Sequence, residues 1–115
     1  IFIKKTALCL AFEIENQEII DLLMNDERMK IVEGCFKGKS LKQFTVPDFI
    51  TEIESNAFSD CSFLNHISIS SSVSLFGDHI FSGCSSITKI TIPPLIKSIS
   101  DGSFEGCSSL IEVNI

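Results

Sequence analysis

A 23-residue repeat covers most of the chain and constrains its fold more strongly than any other feature of the sequence. Three columns of residues share this period: one of Phe, one of Cys, and one of Leu or Ile (Phe58, Phe81 and Phe104; Cys61, Cys84 and Cys107; Leu64, Ile87 and Leu110). An earlier copy, in which Phe36 precedes Phe58 by 22 residues, lacks one residue and the Cys, and the array begins near Arg28. Because one unit of this length cannot bury its apolar face alone, the period predicts stacked units that share one core.

Each unit contains a short stretch of alternating branched residues that predicts a β-strand. In the stretch from Leu64 to Ile69, the alternation directs Leu64, Ile67 and Ile69 towards the core. His66 and Ser68 then point outwards. Proline-containing turns follow the equivalent stretches in two other units. The remainder of each unit is short and rich in Ser and Gly, so we expect it to form a return segment of turns or one-turn helices.

The layout of residues 28–115 resembles the BspA-like type of leucine-rich repeat, whose units run Leu-x-x-Ile-x-Ile-Pro, then Val or Ile, then Ala-Phe-x-Gly-Cys-Ser-x-Leu. The segments that begin at Ala57, Ile80 and Ser103 each carry the Phe, the Cys and the Leu or Ile of that pattern. The resemblance implies a solenoid with a parallel sheet on its concave face. It also implies adhesion or partner binding at cell surfaces of bacteria and some protists, without catalytic activity.

Residues 1–27 differ in composition from the repeats, since Ser is absent from residues 1–34 and common afterwards. Apolar residues at helical spacing on either side of Glu15–Gln17 predict two short helices. The stretch Thr6-Ala-Leu-Cys-Leu-Ala is similar to the start of an ankyrin repeat, Thr-Pro-Leu-His-x-Ala, although Ala7 replaces the Pro and Cys9 the His. The alternative is a helical hairpin that caps the solenoid. Both interpretations place a helical pair against the first turn of the array.

The charge and hydropathy of the chain bear on its partners and its location. Nine Lys and Arg residues against 15 Asp and Glu residues give a net charge of -6, which repels a phosphate backbone, so we expect no nucleic-acid partner. The longest apolar run, from Ala7 to Phe12, is far shorter than the roughly 20 residues that span a bilayer, so we expect no membrane insertion. The two resemblances point to different compartments. The ankyrin-like segment indicates the cytoplasm, and the leucine-rich repeats indicate the cell surface. Because the sequence begins without Met, we expect a piece of a longer protein.

The segment Gly34–Ser40 nearly spells a phosphate-binding loop, with Lys39 and Ser40 after the second glycine. Three residues separate its glycines where such a loop needs four, and the residues that follow predict a strand instead of the necessary helix. The repeat register explains the segment better, because Phe36 and Leu41 are repeat positions. We therefore predict no nucleotide or other cofactor site.

The cysteines lack the close spacing of a zinc site, since the nearest two are 23 residues apart. Equivalent residues of stacked parallel units lie about 5 Å apart. We therefore expect Cys61, Cys84 and Cys107 to form a ladder of inward-facing, apolar thiols. A disulfide between adjacent rungs of this ladder, or a zinc site, is the alternative.

The two histidines, His66 and His79, lack partners for catalysis. The predicted face that carries His66 has no Cys, and the Ser residues near it have no paired acid within sequence reach. His79 falls on a return loop, where we expect it to be plain surface. The sequence therefore predicts no catalytic and no metal-binding residues.

Together these patterns predict an α/β repeat protein, with an ankyrin-like helical pair in residues 1–27 and a leucine-rich repeat solenoid in residues 28–115. The predicted function is non-enzymatic protein–protein interaction through the concave sheet. Its outward rows are Gln43, His66, Lys89 and Glu112, and Thr45, Ser68, Thr91 and Asn114. The alternative is that the repeats are spacers in a longer surface protein, without a binding site of their own. No repeat follows the strand from Leu110 to Ile115, so we expect the isolated chain to self-associate or fray there.

Overall fold

Seven short β-strands, spread over the repeats, form the regular structure of a computed structural model that describes residues 9–11, 30–100 and 102–115. In chain order they are β1 Lys30–Ile31, β2 Gln43–Thr45, β3 Glu52–Ile53, β4 His66–Ser68, β5 Leu75–Phe76, β6 Lys89–Thr91 and β7 Glu112–Asn114. Residues 9–11 are helical. The rest of the helical pair predicted for residues 1–27 lies outside the described residues.

The strands predicted from the alternating stretches form one face of the repeat array. β2 pairs with β4, and β6 pairs with β7, each in parallel. β4 and β6 lie side by side between these two pairs. The register aligns Gln43 with His66 and Lys89 with Glu112, which is the register that the 23-residue period predicts. The predicted parallel pairing is therefore confirmed, in two two-stranded sheets, and the concave curvature of this face stays a prediction.

A second parallel sheet lies in the return segments, where the sequence predicts only turns or one-turn helices. Its order is β1-β3-β5, with Ile31 beside Ile53 and Ile53 beside Phe76. Backbone bonds continue the pairing beyond the strands, for example from the Gly77 amide to the Ile53 carbonyl at 2.8 Å. Stacking brings equivalent extended peptides within hydrogen-bonding distance, and two residues per rung are enough to pair. The prediction of turns alone is therefore wrong for these residues.

Two positions of each return turn have a left-handed backbone in every described unit. The first column comprises Gly34, Asn56, His79 and Gly102, and the second comprises Gly38, Asp60, Gly83 and Gly106. Such a φ favours Gly, and Asn, Asp and His are the side-chain-bearing residues that adopt it most readily. His79 is exposed, as predicted, yet it also has this structural role. Its imidazole covers Gly102, where a Cβ would overlap the ring.

The core is built on a stack of four Phe rings, one from each unit. The ring centroids of successive units lie 5.3, 5.9 and 6.0 Å apart, with interplanar angles of 22°, 15° and 10° (Phe36 to Phe58, Phe58 to Phe81, Phe81 to Phe104). The first three rings are buried and Phe104 is half-buried. Offset stacking of this kind needs no polar atom on the ring, which fits a sequence with ten Phe and no Tyr or Trp. The predicted Phe core is confirmed.

The first unit is one residue shorter than the others, and the missing residue falls at one corner of the solenoid. Gly38 and Asp60 share the second left-handed position and are 22 residues apart, whereas the strand residues Gln43 and His66 are paired at a spacing of 23. The Lys39 amide bonds the Phe36 carbonyl at 2.9 Å, as the Cys61 amide bonds the carbonyl of its own Phe. Lys39 therefore occupies the Cys position, and the deletion lies between it and Leu41.

Candidate interaction surface

The concave strands position the predicted site residues by their alternation. In β2, β4 and β6 the central residues Phe44, Ile67 and Ile90 are buried, and both of their neighbours are exposed. The neighbours form two rows that run across the rungs: Gln43, His66, Lys89 and Glu112, and Thr45, Ser68, Thr91 and Asn114. All eight residues thus lie on one face, as the sequence predicts, although Asn114 is only half-exposed.

The first row carries the charged groups of this face. Lys89 Nζ lies 3.7 Å from Glu112 Oε2, and both side chains are largely exposed. An exposed pair at this distance contributes about 0–1 kcal/mol to stability. Neither charge is therefore committed to the fold, and both are available to a partner.

The second row consists of small side chains that can donate or accept hydrogen bonds. Its Ser68 contacts His66 of the first row, since Ser68 Oγ lies 3.3 Å from His66 Nε2, a contact that the sequence pattern does not reveal. Nucleophilic catalysis needs a third group that orients the base. Among the described residues, no carboxylate forms a hydrogen bond with the other ring nitrogen of His66. This contact is therefore a surface hydrogen bond between neighbours on one strand.

Backbone bonds between rungs hold both rows in place. The amides of Val46 and Ile92 donate to the carbonyls of Ser68 and Asn114, each at 2.8 Å. At the other end of the strand, the Asn65 amide donates to the Lys42 carbonyl at 2.9 Å. A partner that binds across these strands finds a backbone that is already ordered, which lowers the entropic cost of binding.

The predicted thiol ladder has a hydrogen-bonding role in addition to filling space. Each thiol donates to the carbonyl of the Phe in the preceding unit at 3.1 Å (Cys61 to Phe36, Cys84 to Phe58, Cys107 to Phe81). Burial raises the pKa of Cys61 to about 11 and that of Cys84 to about 12, and it also raises the pKa of the half-buried Cys107. Inward-facing thiols are therefore confirmed for Cys61 and Cys84, and these thiols are poor nucleophiles.

A disulfide does form, but not between the rungs of this ladder. It joins Cys9 to Cys35, with their Cα atoms 5.5 Å apart, whereas Cys61, Cys84 and Cys107 are free. The alternative of a disulfide between adjacent rungs is therefore wrong. The period could not reveal the actual pair, because Cys9 lies before the array.

The described residues offer no obvious metal site and no membrane span. Within residues 9–11, 30–100 and 102–115, no three His, Cys, Asp or Glu side chains cluster so that they could hold a metal ion. No helix in the same part of the chain has the length and apolar character to cross a bilayer.

The central residue of the last strand, β7, is more exposed to solvent than the central residues of β2, β4 and β6. Val113 at the centre of β7 is 40% exposed, whereas Ile90 at the centre of β6 is 1% exposed. Leu110 is half-buried, and Ile111 is almost fully exposed. Self-association at this strand stays a prediction.

Comparison with known families identifies the repeat. Residues 11–115 match the family described as BspA type leucine rich repeat region, in six copies. The chain belongs to this family. The match to BspA-type repeats begins within the segment predicted to be ankyrin-like, and the comparisons give the ankyrin prediction no support. No curated protein matches the chain.

Solved structures of other leucine-rich repeat proteins share the fold of this BspA-type chain. A leucine-rich repeat protein from Bacteroides capillosus is 26% identical with a TM-score of 0.69, and the match covers 75% of this chain and 62% of that one. A leucine rich cell surface protein from Faecalibacterium prausnitzii is 24% identical with a TM-score of 0.66, over 75% and 29%. The leucine-rich repeat protein of T. pallidum is 20% identical with a TM-score of 0.54, over 75% and 62%. The chain thus spans less than two thirds of each.

Proposed function

We propose that the concave sheet of this BspA-type array is a non-enzymatic recognition surface for a protein partner. One observation carries the proposal: two polar rows in register, each with one residue per rung, stand on strands whose central residues are buried in three of four rungs. A surface of this kind presents repeated donors, acceptors and charges along one line. A partner segment that lies across the rungs can therefore make several contacts at once.

The composition of the rows suggests what such a partner offers. Lys89 and Glu112 supply one charge of each sign, while Gln43, His66 and the second row supply hydrogen-bonding groups. Rungs are spaced by about 4.8 Å, so the four rungs match a short extended segment of a protein. The partner we propose is therefore a polar protein surface, recognised mainly by hydrogen bonds.

Two observations favour a role at a cell surface, as adhesion would require. The Cys9–Cys35 disulfide is a bond of a type that persists in oxidising environments and is rare in the cytosol. The similar protein from Faecalibacterium prausnitzii is described as a cell surface protein. Between the two compartments that the sequence leaves open, these observations favour the cell surface.

A matched pair of charge reversals tests the recognition surface. Lys89→Glu changes the concave face, and Lys97→Glu makes the same chemical change at an exposed position of a return segment. Immobilised wild-type chain would be screened against purified extracellular proteins, and the dissociation constants of all binders measured for the three chains. We expect Lys89→Glu to weaken binding at least about tenfold, the effect of losing about 1.4 kcal/mol, and Lys97→Glu to leave it unchanged.

The spacer interpretation makes the opposite prediction for the same measurement. If these repeats only separate other parts of a longer protein, Lys89→Glu leaves every dissociation constant unchanged. Equal losses from Lys89→Glu and Lys97→Glu would also contradict the proposal, because they would indicate non-specific charge effects.

A further inference from the structure

The pairing of the second sheet stops between the third and fourth units, although the fourth unit is part of the array. The 23-residue period would place Ser98 and Ile99 beside the two residues of β5. Neither the amide nor the carbonyl of Phe76 forms a bond with the fourth unit. Elsewhere the same two units are joined, for example from the Phe81 amide to the Ser103 carbonyl at 3.1 Å. The opening is therefore a local break inside the array.

The sequence of the fourth unit explains this break. Three hydroxyls of the third unit donate to backbone carbonyls of the second unit, at 3.0, 2.7 and 3.4 Å (Ser70, Ser72 and Ser74). The residues 23 positions later are Pro93, Leu95 and Lys97, which carry no hydroxyl. The side-chain bonds that join the second and third units along this segment therefore have no counterparts between the third and fourth units.

The break opens a cleft of about 440 Å³ between β5 and residues 95–98. Its walls are mostly apolar, since Leu75 is 59% exposed and Leu95 is 54% exposed. Phe76 is half-buried, whereas the equivalent Ile53 of the second unit is fully buried. A cleft of this volume with apolar walls is within the range of pockets that bind ligands.

Two features of the cleft indicate what occupies it. The amides of Leu75 and Gly77 bond the second unit, so the peptide groups of Phe76 between them face the cleft and offer a donor and an acceptor. An extended segment adds to a strand edge of this kind through its own backbone. Lys97 lines the cleft and forms no ion pair with any described carboxylate. Its charge is therefore complementary to a carboxylate of the occupant.

We propose that this cleft binds an extended segment of a partner protein. The segment pairs with β5 as an added strand, places an apolar side chain against Leu75 and Leu95, and places a carboxylate beside Lys97. This site is separate from the two polar rows, because it belongs to the second sheet. The residues that replace the hydroxyls of the third unit are thus also residues that recognise the partner.

A synthetic peptide with the sequence of residues 49–56 is the probe. It contains β3, which pairs with the other edge of β5, and it carries a Glu on each side of Ile53. Fluorescence anisotropy of the labelled peptide should show saturable binding to the 115-residue chain, with a Kd below about 1 mM. In the complex, amide exchange at Phe76 should slow about tenfold or more. Exchange at Gly77, whose amide already bonds the Ile53 carbonyl, should stay within about twofold.

Matched charge reversals test the contact with the carboxylate. Lys97→Glu should weaken binding of this peptide about threefold or more, and a peptide that carries Glu52→Lys and Glu54→Lys should bind that variant better. Lys89→Glu, on the concave face, should leave binding unchanged, so the two reversals exchange the roles that they have in the test of the concave surface. The double variant Leu95→Ser and Lys97→Ser restores the hydroxyls of the third unit and should abolish binding.

The proposal fails if the peptide shows no saturable binding, or if Lys97→Glu and Lys89→Glu weaken binding equally, which would indicate non-specific charge attraction. Faster exchange at Gly77 would also contradict it, because the peptide would then have displaced β3. Binding of the dye anilinonaphthalenesulfonate that Leu95→Ser removes, without binding of the peptide, would indicate a pocket for small apolar molecules instead. Oligomers that dissociate on Leu75→Lys would overturn the proposal in favour of a second copy of the chain as the occupant.

Discussion

The thiol of Cys84 donates a hydrogen bond to the carbonyl of Phe58 in the preceding unit, across 3.1 Å. The same carbonyl also accepts the Cys61 amide. The Phe and Cys columns are therefore linked, because each Cys thiol donates a hydrogen bond to the backbone carbonyl of the Phe in the preceding unit. This link explains why the second, third and fourth units place a small sulfur-containing donor three residues after the Phe.

Removal of the donor at Cys84 should destabilise the array more than its replacement by another donor. Cys84→Ala removes one of the two donors to the buried Phe58 carbonyl, which keeps the Cys61 amide, and should lower the free energy of unfolding by about 0.5–1.5 kcal/mol. Cys84→Ser retains a donor and should cost less. Urea unfolding of both variants measures the difference. Equal losses would mean that the hydrogen bond contributes nothing beyond packing.

Stability should decrease at alkaline pH because of the same thiols. Burial raises the pKa of Cys61 and Cys84 from 9.0 to about 11 and about 12. Their contribution is therefore complete below pH 9, where both states are protonated, and is lost as the pH rises from 9 through these folded values. Urea unfolding between pH 8 and pH 11 should show this decrease in the wild type. In the variant carrying Cys61→Ala and Cys84→Ala, the free energy of unfolding should decrease less over the same pH range. The titration of lysines contributes equally in both chains.

The central ring of the Phe stack should contribute strongly to stability. Phe81→Ala should lower the free energy of unfolding by about 3–5 kcal/mol, because it leaves a cavity between two stacked rings. Phe63 is 59% exposed, so Phe63→Ala should cost less than about 1 kcal/mol. Chemical denaturation measures both. A loss below about 1 kcal/mol for Phe81→Ala would show that this ring is not part of the core.

Two glycines at the second left-handed position allow the cost of backbone strain to be measured separately from the cost of steric overlap. Gly38 and Gly83 both have a left-handed φ, but only at Gly83 would a Cβ meet another residue, the side chain and backbone of Asp60. Gly38→Ala should cost about 1 kcal/mol from φ alone. Gly83→Ala should cost about 1–3 kcal/mol more. Thermal unfolding of the two variants gives the difference, and equal shifts would contradict the close approach.

The exposed last strand should mediate association of the isolated 115-residue chain. Val113 in β7 and Ile111 just before it are exposed apolar residues, and the outer edge of β7 has no paired strand among the described residues. Sedimentation should detect oligomers of the wild type, and Val113→Lys should shift them to monomers. Leu75→Lys, at an exposed position of β5, is the control and should not. A wild-type monomer with full amide protection at residues 110–115 would contradict this prediction.

Most of the array could be predicted from periodicity, because stacking places residues that are one period apart in sequence next to each other in space. The inward positions of Phe58 and Ile67 and the outward position of His66 all depend on this relation, and the structure agrees. The strands of the second sheet could not be predicted, since two residues such as Glu52 and Ile53 are too few to show alternation. The partner of Cys35 was equally hidden, because the period carries no information about a residue outside the repeats.

The corner between Gly38 and Leu41 has a consequence for how proteins of this kind change in length. One residue is missing there, yet the strands on both sides keep their pairing and the turn keeps its left-handed positions. A change of length at this corner leaves the strand register intact. The same change within a strand would shift the outward rows out of alignment. An insertion between Lys39 and Ser40, or at the equivalent corner near Ser62, should leave both sheets intact. Evolution could therefore attach a new loop to each rung at this corner without rebuilding the scaffold.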